Sequence, residues 1–251
     1  MKPKDIIAIP LSNIPVIKAG ENISELILKA SVASGIRIMD GDVLVIASKI
    51  VSKSENRVIR ASDVEVSSKA RDIAERNGFD PVHVQLALAE SSRVIRDEGV
   101  LITETHSGLI CNFSGVDKSN APEGEYVLLP QKPDESAKLI LSSLREETGK
   151  KLAVIISDTQ GRPWRKGSIN VAIGCAGINA FKHNQGRKDL HGRILKRSTV
   201  CQVDELAALA EPLMGQAGER KPIVIIRGYQ YEEGYETCSD IIRPIDENLF
   251  E

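Results

Sequence analysis

Residues 153–156 read Ala-Val-Ile-Ile, a short apolar run in which three of the four side chains are β-branched. Such a run is typical of a strand that is buried on both faces of a sheet. Two runs of the same kind, Val43–Ala47 and residues 223–226, lie far from it along the chain. Helical patterns separate the three runs, so we predict a mixed α/β (α+β) fold whose sheet contains them.

The helices between these runs have recognisable ends. Apolar residues over Ile23–Ala33 fall on one helical face, and Gly35 follows as a stop. Asp80 is a candidate N-cap, and Pro81 would take the first helical position. We expect the helix that starts there to end before Gly99.

Two further helices and a region of hairpins complete the pattern. Asp134 is expected to cap a helix that ends at Gly149. A fourth helix is predicted over residues 203–214, kinked or ended around Pro212. Glycines recur at short intervals over residues 99–130, which favours antiparallel hairpins there.

The composition and the distribution of apolar residues argue against several classes of protein. The chain has 251 residues, with 33 Lys and Arg against 35 Asp and Glu, a formal net charge of −2. This balance argues against a nucleic-acid partner. No apolar run approaches the ~18–20 residues of a membrane span. Pro10 and Pro15 interrupt the N-terminal apolar stretch, which argues against a signal peptide. We expect a cytoplasmic protein with no membrane partner.

Several common motifs are missing from the sequence. There is no G-x-x-x-x-G-K-[ST] loop, no G-x-G-x-x-G turn, no G-x-S-x-G elbow and no H-E-x-x-H helix. Any nucleotide would therefore be bound without the two commonest phosphate cradles. The cysteines contain no C-x-x-C pair, so we expect reduced, partly buried thiols rather than disulfides or a zinc site. They are Cys111, Cys175, Cys201 and Cys238.

The segment after the first apolar run places polar residues at the end of a predicted strand. Asp158 and Thr159 could bind a hard divalent cation, which prefers oxygen ligands. Arg162, Arg165 and Lys166 flank a Gly/Pro turn and could hold phosphate or carboxylate groups. The alternative is that Asp158 caps the turn and the basic residues are simply solvated.

Two glycine-containing segments offer further ligands. Asp117 could be a second metal carboxylate, and Asn120 could contact a base or a sugar. Gly, Asp, Ser and Asn are also ordinary turn residues, so a plain hairpin turn is the alternative. In the loop over residues 214–221, glycines allow backbone N–H groups to approach a ligand, and Gln216 offers a neutral oxygen. An ordinary helix-to-strand connection would look much the same.

Two basic stretches are open to two interpretations. Lys49 and Lys53 follow the Val43–Ala47 run, where their ammonium groups could neutralise phosphates or be merely exposed. Residues 182–197 contain six Lys or Arg and one Asp, a local charge of +5. In a chain of net charge −2, a solvated face or a small anionic ligand is favoured over a polyanion for this stretch.

In this order, the segments resemble the coenzyme F420-0:γ-glutamyl ligase family over residues 6–250. The matching pieces are Gly41-Asp42-Val43 with Ser48 and Lys53, Gly115-Val116-Asp117 with Asn120, Ser157-Asp158-Thr159 continuing to Arg165, residues 186–193, residues 204–207, Met214-Gly215-Gln216 and residues 222–228. Any one of them alone would be a weak match, whereas the ordered set is specific.

The resemblance implies a GTP-dependent ligase that adds L-glutamate to coenzyme F420-0 through γ-glutamyl amide bonds. It implies a family-specific fold without a P-loop, in which residues 1–251 form a single catalytic module of two intertwined lobes, without a fused nitroreductase-like domain. It also implies a homodimer, Mg²⁺ or Mn²⁺ (two ions are expected) and K⁺. GTP would phosphorylate the acceptor carboxylate, and the glutamate amine would attack the acyl phosphate, so no covalent nucleophile is needed.

The resemblance also implies site residues. The metal ligands would be Asp117, Asp158, Thr159 and Gln216. The nucleotide site would use Ile14, Pro15, Val16, Ile17, Ser48, Lys49, Lys53, Asn120, Met214, Gly215, Gln216, Ala217, Gly218, Glu219, Arg220 and Lys221. From charge, we expect neutralisation by Lys49, Lys53, Arg162 and Arg165, with Arg187 and Lys188 as further candidates for anion binding.

Two positions depart from the family pattern. Relatives commonly have an asparagine three residues before the metal aspartate's Val-Asp pair, where this chain has Phe113, with Asn112 one place earlier. Gln216 stands where a glutamate is common, so it would supply a neutral ligand. The competing hypotheses are a ligase for another phosphorylated acceptor and a non-catalytic nucleotide or deazaflavin binding protein.

Overall fold

The computed structural model describes residues 5–250. Residues 1–4, at the start of the N-terminal stretch, and residue 251 lie outside this part. The helices are α1 (Ile23–Ala33), α2 (Ser48–Ser54), α3 (Ser68–Asn77), α4 (Pro81–Ala89), α5 (Pro133–Thr148) and α6 (Gln202–Met214). The strands are β1 (Ile7–Pro10), β2 (Val43–Ala47), β3 (Val58–Arg60), β4 (Ser91–Arg96), β5 (Ile102–Thr105), β6 (Ile110–Asn112), β7 (Glu125–Val127), β8 (Ala153–Arg162), β9 (Arg165–Ala176), β10 (Phe181–His183), β11 (Thr199–Cys201) and β12 (Ile223–Arg227). The predicted mixed α+β class is confirmed.

A five-stranded sheet, in the order β1-β12-β2-β8-β9, forms the centre of the molecule. The three apolar runs lie side by side in it as β12, β2 and β8. Strands β2 and β8 are parallel, whereas the other neighbours are antiparallel. Both faces of the sheet are covered, which explains why these strands are apolar without alternation.

Successive residues of each central strand pack on opposite faces of the sheet. Leu44 and Ile46 face a core formed with α1 and α5. Val43 and Val45 face a second core formed with α6. Within residues 5–250, no helix is long and apolar enough to cross a bilayer.

A second group of elements packs around α3 and α4. It contains the antiparallel pair β3–β7 and the antiparallel sheet β4-β5-β6. The sheet β4-β5-β6 contains hairpins that the glycine spacing over residues 99–130 predicts, whereas β7 pairs with the distant strand β3. Asp80 caps α4 as expected, accepting a hydrogen bond from the backbone of Val82. The helix ends at Ala89, before Gly99 as expected, and the following residues pair with β5 as strand β4.

The predicted cap at Asp134 is wrong. Lys132 occupies the N-cap position of α5, and Asp134 lies in the first turn. Its carboxylate instead accepts backbone hydrogen bonds from Cys175 at 2.8 Å and Cys238 at 3.0 Å. The side chain therefore joins the helix to the sheet and to the C-terminal segment, which are contacts between distant parts of the sequence. The predicted stop at Gly149 is confirmed, with φ of 65°.

Strand β8 is longer than the sequence predicts. It continues through Asp158 and Thr159 to Arg162, so Asp158 lies inside a strand and does not cap a turn. The neighbouring strand β2 ends at Ala47, which is paired with Ser157. Beyond Ser157, β8 pairs with β9, and within residues 5–250 no strand pairs with its other edge. The candidate functional site lies along this edge.

Candidate functional site

A cavity of about 560 Å³ and a larger one of about 710 Å³ are lined by successive residues of β8, between Ser157 and Gly161. The larger one, called here the nucleotide cavity, contains both candidate metal aspartates, Asp117 and Asp158. It is lined by all the residues expected in the metal and nucleotide sites except Glu219. The structure thus brings five separate segments of the chain together at one place.

Asp158 is held by the residue that follows β2. The hydroxyl group of Ser48, the first residue of α2, donates a 2.6 Å hydrogen bond to Oδ1 of Asp158. Burial raises the pKa of Asp158 above its usual value, although this hydrogen bond and the charge of Lys49 favour the carboxylate. A buried carboxylate of this kind is stabilised when a cation binds beside it.

Asp117 is paired with a lysine from the same helix start. Nζ of Lys49 lies 2.7 Å from Oδ2 of Asp117 and 2.7 Å from the hydroxyl oxygen of Ser119. Burial opposes ionisation of Asp117, but the hydrogen bonds from Lys49 and Ser119 hold its pKa below the usual value. The consecutive residues Ser48 and Lys49 therefore contact one aspartate each.

Thr159 and Gln216 meet at the rim of the cavity. The hydroxyl group of Thr159 lies 3.2 Å from Nε2 and 3.3 Å from Oε1 of Gln216. It also donates to Oδ1 of Asn170, its cross-strand partner in β9, at 2.9 Å. Nε2 of Gln216 donates in addition to Glu211 at 2.8 Å. Amide and hydroxyl oxygens thus line the same cavity as the two aspartates, and oxygen ligands are those that a hard divalent cation prefers.

Basic residues flank these oxygens. Nζ of Lys53 donates a 2.7 Å hydrogen bond to the backbone oxygen of Asn120. Burial lowers the pKa of Lys53, and the positive charge of Lys49 lowers it further. Arg220 and Lys221 line the same cavity. Such a combination of carboxylates and basic groups suits a polyphosphate bound together with a divalent cation.

The sequence model of the F420-0:gamma-glutamyl ligase family matches residues 12–228. The chain belongs to this family. It is similar to the coenzyme F420:L-glutamate ligase of Methanothermobacter thermautotrophicus, at 46% identity over 224 residues and 89% of each chain. It is also similar to the ligases of the same name from Methanocaldococcus jannaschii, 43% identical over 94% of each chain, and Archaeoglobus fulgidus, 40% identical over 96% of this chain and 94% of its relative.

The structure shows where Phe113, one of the two departures from the F420-0:gamma-glutamyl ligase pattern, lies. Asn112 lines the nucleotide cavity, whereas Phe113 is turned away from it. The Phe113 ring stacks on His83 at 4.2 Å and packs against the core between α3 and α4. Gly115 also lines the cavity, at φ of 70°, and a Cβ there would lie 2.5 Å from Leu129. The close approach explains why glycine occupies this position of the family motif.

Some residues expected to bind anions in this family member lie elsewhere. Arg162 and Arg165 stand at the end of the β8–β9 hairpin, where Arg162 donates to the backbone oxygens of Lys166 and Gly167. Arg187 and Lys188 lie in the exposed loop between β10 and β11. None of these four arginines and lysines lines the nucleotide cavity, and their role as anion ligands stays a prediction.

Three polar residues that line the nucleotide cavity have no function predicted from the sequence. Asn170 reaches the site only through its pairing with Thr159 across the hairpin. The sequence predicts no role for Asn112 beyond its offset from the family's asparagine. Ser157 is 1% exposed, and its hydroxyl oxygen has no hydrogen-bond partner within residues 5–250. A buried hydroxyl without a partner is costly, so its position in the cavity wall fits a residue that binds a polar ligand.

Proposed function

We propose that this chain is a GTP-dependent ligase that joins L-glutamate to coenzyme F420-0 by γ-glutamyl amide bonds. The observation that carries the proposal is the pairing of Asp117 and Asp158 in one cavity with Lys49, Lys53 and the 214–221 loop. The names of the relatives, all coenzyme F420:L-glutamate ligases, support the choice of acceptor and amino acid.

The proposed reaction has two steps. An oxygen of the acceptor carboxylate attacks the γ-phosphorus of GTP, the bond to the bridging oxygen breaks, and GDP leaves. The deprotonated amine of glutamate then attacks the carbonyl carbon of the acyl phosphate, and inorganic phosphate leaves as the amide forms. Neither step needs a protein nucleophile, so the protein contributes mainly position and charge.

The chain's own residues would carry out this positioning. Lys49 and Lys53 would neutralise phosphate oxygens, and Asp117, Asp158, Thr159 and Gln216 would hold Mg²⁺ or Mn²⁺. The metal, when bound, supplies further neutralisation of the phosphates. K⁺ is proposed as an additional cation, and Ser157 would donate a hydrogen bond to the nucleotide. Because GTP and glutamate are cytoplasmic metabolites, we place the reaction in the cytoplasm.

We also propose that the enzyme is a homodimer. Large apolar side chains are exposed on two projecting hairpins: Trp164 is 78% exposed at the β8–β9 turn, and Leu190 is 95% exposed between β10 and β11. Trp164 also contacts the exposed ring of Phe250, with ring centroids 5.5 Å apart, and contiguous exposed apolar surface is typical of protein–protein contacts. Sedimentation of the full chain would test this assembly.

The test of the reaction is direct. Purified protein is mixed with F420-0, L-glutamate, GTP and Mn²⁺, and the products are followed by mass spectrometry. We expect stepwise glutamyl additions, each matched by one GDP, and loss of both products in EDTA. A parallel reaction with ATP tests which nucleotide the enzyme uses. A reaction without glutamate measures GTP hydrolysis that is not coupled to ligation. GDP release without glutamylation would point to another acceptor, and nucleotide binding without turnover to a binding protein.

A further inference from the structure

The smaller cavity, called here the second cavity, adjoins the candidate metal site along β8. The two cavities share β8 as a wall: Asp158 lines the nucleotide cavity, and Gln160, two residues further along the same strand face, lines the second cavity. Nε2 of Gln160 donates a 3.3 Å hydrogen bond to Oδ2 of Asp158. The turn after β6 divides in the same way, since Gly115 lines one cavity and Ser114 the other.

The second cavity has the wrong charge for a nucleotide. Apart from His106, its charged lining residues are Arg57, Glu90, Asp134 and Asp204, which gives three carboxylates against one guanidinium. The nucleotide cavity instead has four basic residues against two carboxylates. A polyphosphate is therefore favoured in the nucleotide cavity and disfavoured in the second one.

Most charged groups of the second cavity already have protein partners. Arg57 pairs with Glu90 and donates to the backbone oxygen of Leu129. Asp134 accepts hydrogen bonds from Cys175, Cys238 and Ser239. Asp204 accepts a 2.9 Å hydrogen bond from the backbone of Ala172. A zwitterion such as free glutamate would find few unpaired charges to bind.

The second cavity has the size of a ligand site, and apolar side chains form part of its lining. Its volume of about 560 Å³ lies within the range of small-molecule sites, roughly 300–1,000 Å³. Its aliphatic walls come from both cores and the C-terminal segment, and include Leu109, Ile110, Leu129, Val171, Ile173 and Ile242. Such walls fit a flat, largely uncharged aromatic ring.

We propose that the second cavity binds the planar deazaflavin ring of the acceptor. The anionic end of the acceptor then passes Gln160 to place its carboxylate beside Asp117 and Asp158, where GTP would phosphorylate it. The inference rests on the proposed function, because it takes the acceptor from there. It adds the location of the ring, and it makes Gln160 a positioning residue between the two cavities.

The test measures binding of F420-0 by its own fluorescence, in parallel with binding of GTP. Ile242→Trp fills the second cavity, and Ile110→Glu adds a charge to its wall. Val32→Trp and Leu139→Glu are matched controls at exposed helix positions that line neither cavity. We expect the cavity variants to weaken F420-0 binding at least about tenfold while GTP affinity and both controls stay near wild type.

A second measurement locates the ring itself. Iodide should quench free F420-0 strongly and bound F420-0 weakly, because the ring is enclosed. Quenching of bound F420-0 as strong as that of the free molecule would overturn the proposal, as would unchanged F420-0 affinity in Ile110→Glu. Ile110 is 46% exposed, so this variant keeps the test valid if Ile242→Trp fails to fold. Wild-type protein that binds GTP but not F420-0 would instead overturn the proposed function itself.

Discussion

The ammonium group of Lys49 lies 2.7 Å from Oδ2 of Asp117. The carboxylate that is expected to bind a divalent cation is thus already neutralised by a lysine expected to bind phosphate. A metal ion and Lys49 compete for the same oxygen, and a phosphate group offers the lysine an alternative partner. Metal and nucleotide should therefore bind cooperatively, because the nucleotide draws Lys49 away from Asp117.

Lys49→Gln distinguishes the competition of Lys49 with the metal ion from its contact with phosphate. Without nucleotide, the affinity for Mn²⁺ should rise, since no ammonium group competes for Asp117. The affinity for GTP should fall about tenfold or more, since one phosphate contact is lost. Titration calorimetry with Mn²⁺ and with GTP measures the two affinities. Lys29→Gln is the control, because the Lys29 side chain on α1 is exposed. Weaker Mn²⁺ binding in Lys49→Gln would contradict the competition.

Asp158→Asn should abolish ligation and leave the fold intact. The amide keeps an oxygen that can accept from Ser48 but cannot supply a negative ligand. Since burial penalises the charged form of Asp158, the variant should unfold at no lower temperature than the wild type in metal-free buffer. Glutamyl transfer and thermal unfolding are measured together, with the exposed Asp246→Asn as a control. Near-normal turnover would show that the metal assignment is wrong.

Ser157→Ala should affect stability and binding in opposite directions. The variant removes a buried hydroxyl that has no partner within the described residues, so the free energy of unfolding should stay the same or rise by up to ~1 kcal/mol. GTP affinity should fall about fivefold, equivalent to ~1 kcal/mol. Ser136→Ala is the control, because Ser136 is buried but hydrogen-bonded to Lys132 and lies outside the nucleotide cavity. It should lose stability and keep its GTP affinity.

Asp80→Asn should make the free energy of unfolding depend less on pH in the acidic range. Burial would raise the pKa of Asp80, but hydrogen bonds from Lys118, Tyr126 and the Val82 backbone lower it from 3.8 to about 2. A lowered pKa stabilises the fold above pH 3.8, and the contribution is lost as the pH falls toward 2. Allowing for solvent screening, we expect this contribution to be about 1 kcal/mol.

Asparagine is a good N-cap, so Asp80→Asn retains the cap of α4 and removes only the charge. Denaturant unfolding at a series of acidic pH values measures the difference between the two proteins. The curves should converge at the acid end and diverge as the pH rises. Parallel curves would show that the ion pair with Lys118 contributes nothing.

Local patterns in the sequence predicted much of the secondary structure. The three apolar runs became adjacent central strands, because continuous β-branched segments are stable only when both faces are covered. Gly149 ended α5, and α6 ended at Met214 with Pro212 in its last turn. These features depend on residues within a turn or two of one another.

The sequence also predicted most residues of the candidate site. The ordered motifs, compared with known relatives, led to Asp117, Asp158 and the 214–221 loop, and all of these except Glu219 line one cavity. The length of β8 was not predictable in the same way. It depends on pairing with β9, which supplies the hydrogen bonds that keep Asp158 to Arg162 extended.

Tertiary structure alone decided the remaining features. Asp134 looked like a cap, but its carboxylate joins α5 to backbone groups of Cys175 and Cys238, far away in the sequence. Likewise, only the packed structure places Asn170 beside Thr159 and Gln160 between two cavities. Segments far apart in the sequence supply these hydrogen-bond partners and cavity walls. Their separation along the chain does not say how close they lie in the folded protein. The physical reason is that local sequence fixes backbone preference, whereas the meeting of distant side chains is fixed by how the whole sheet and its helices pack.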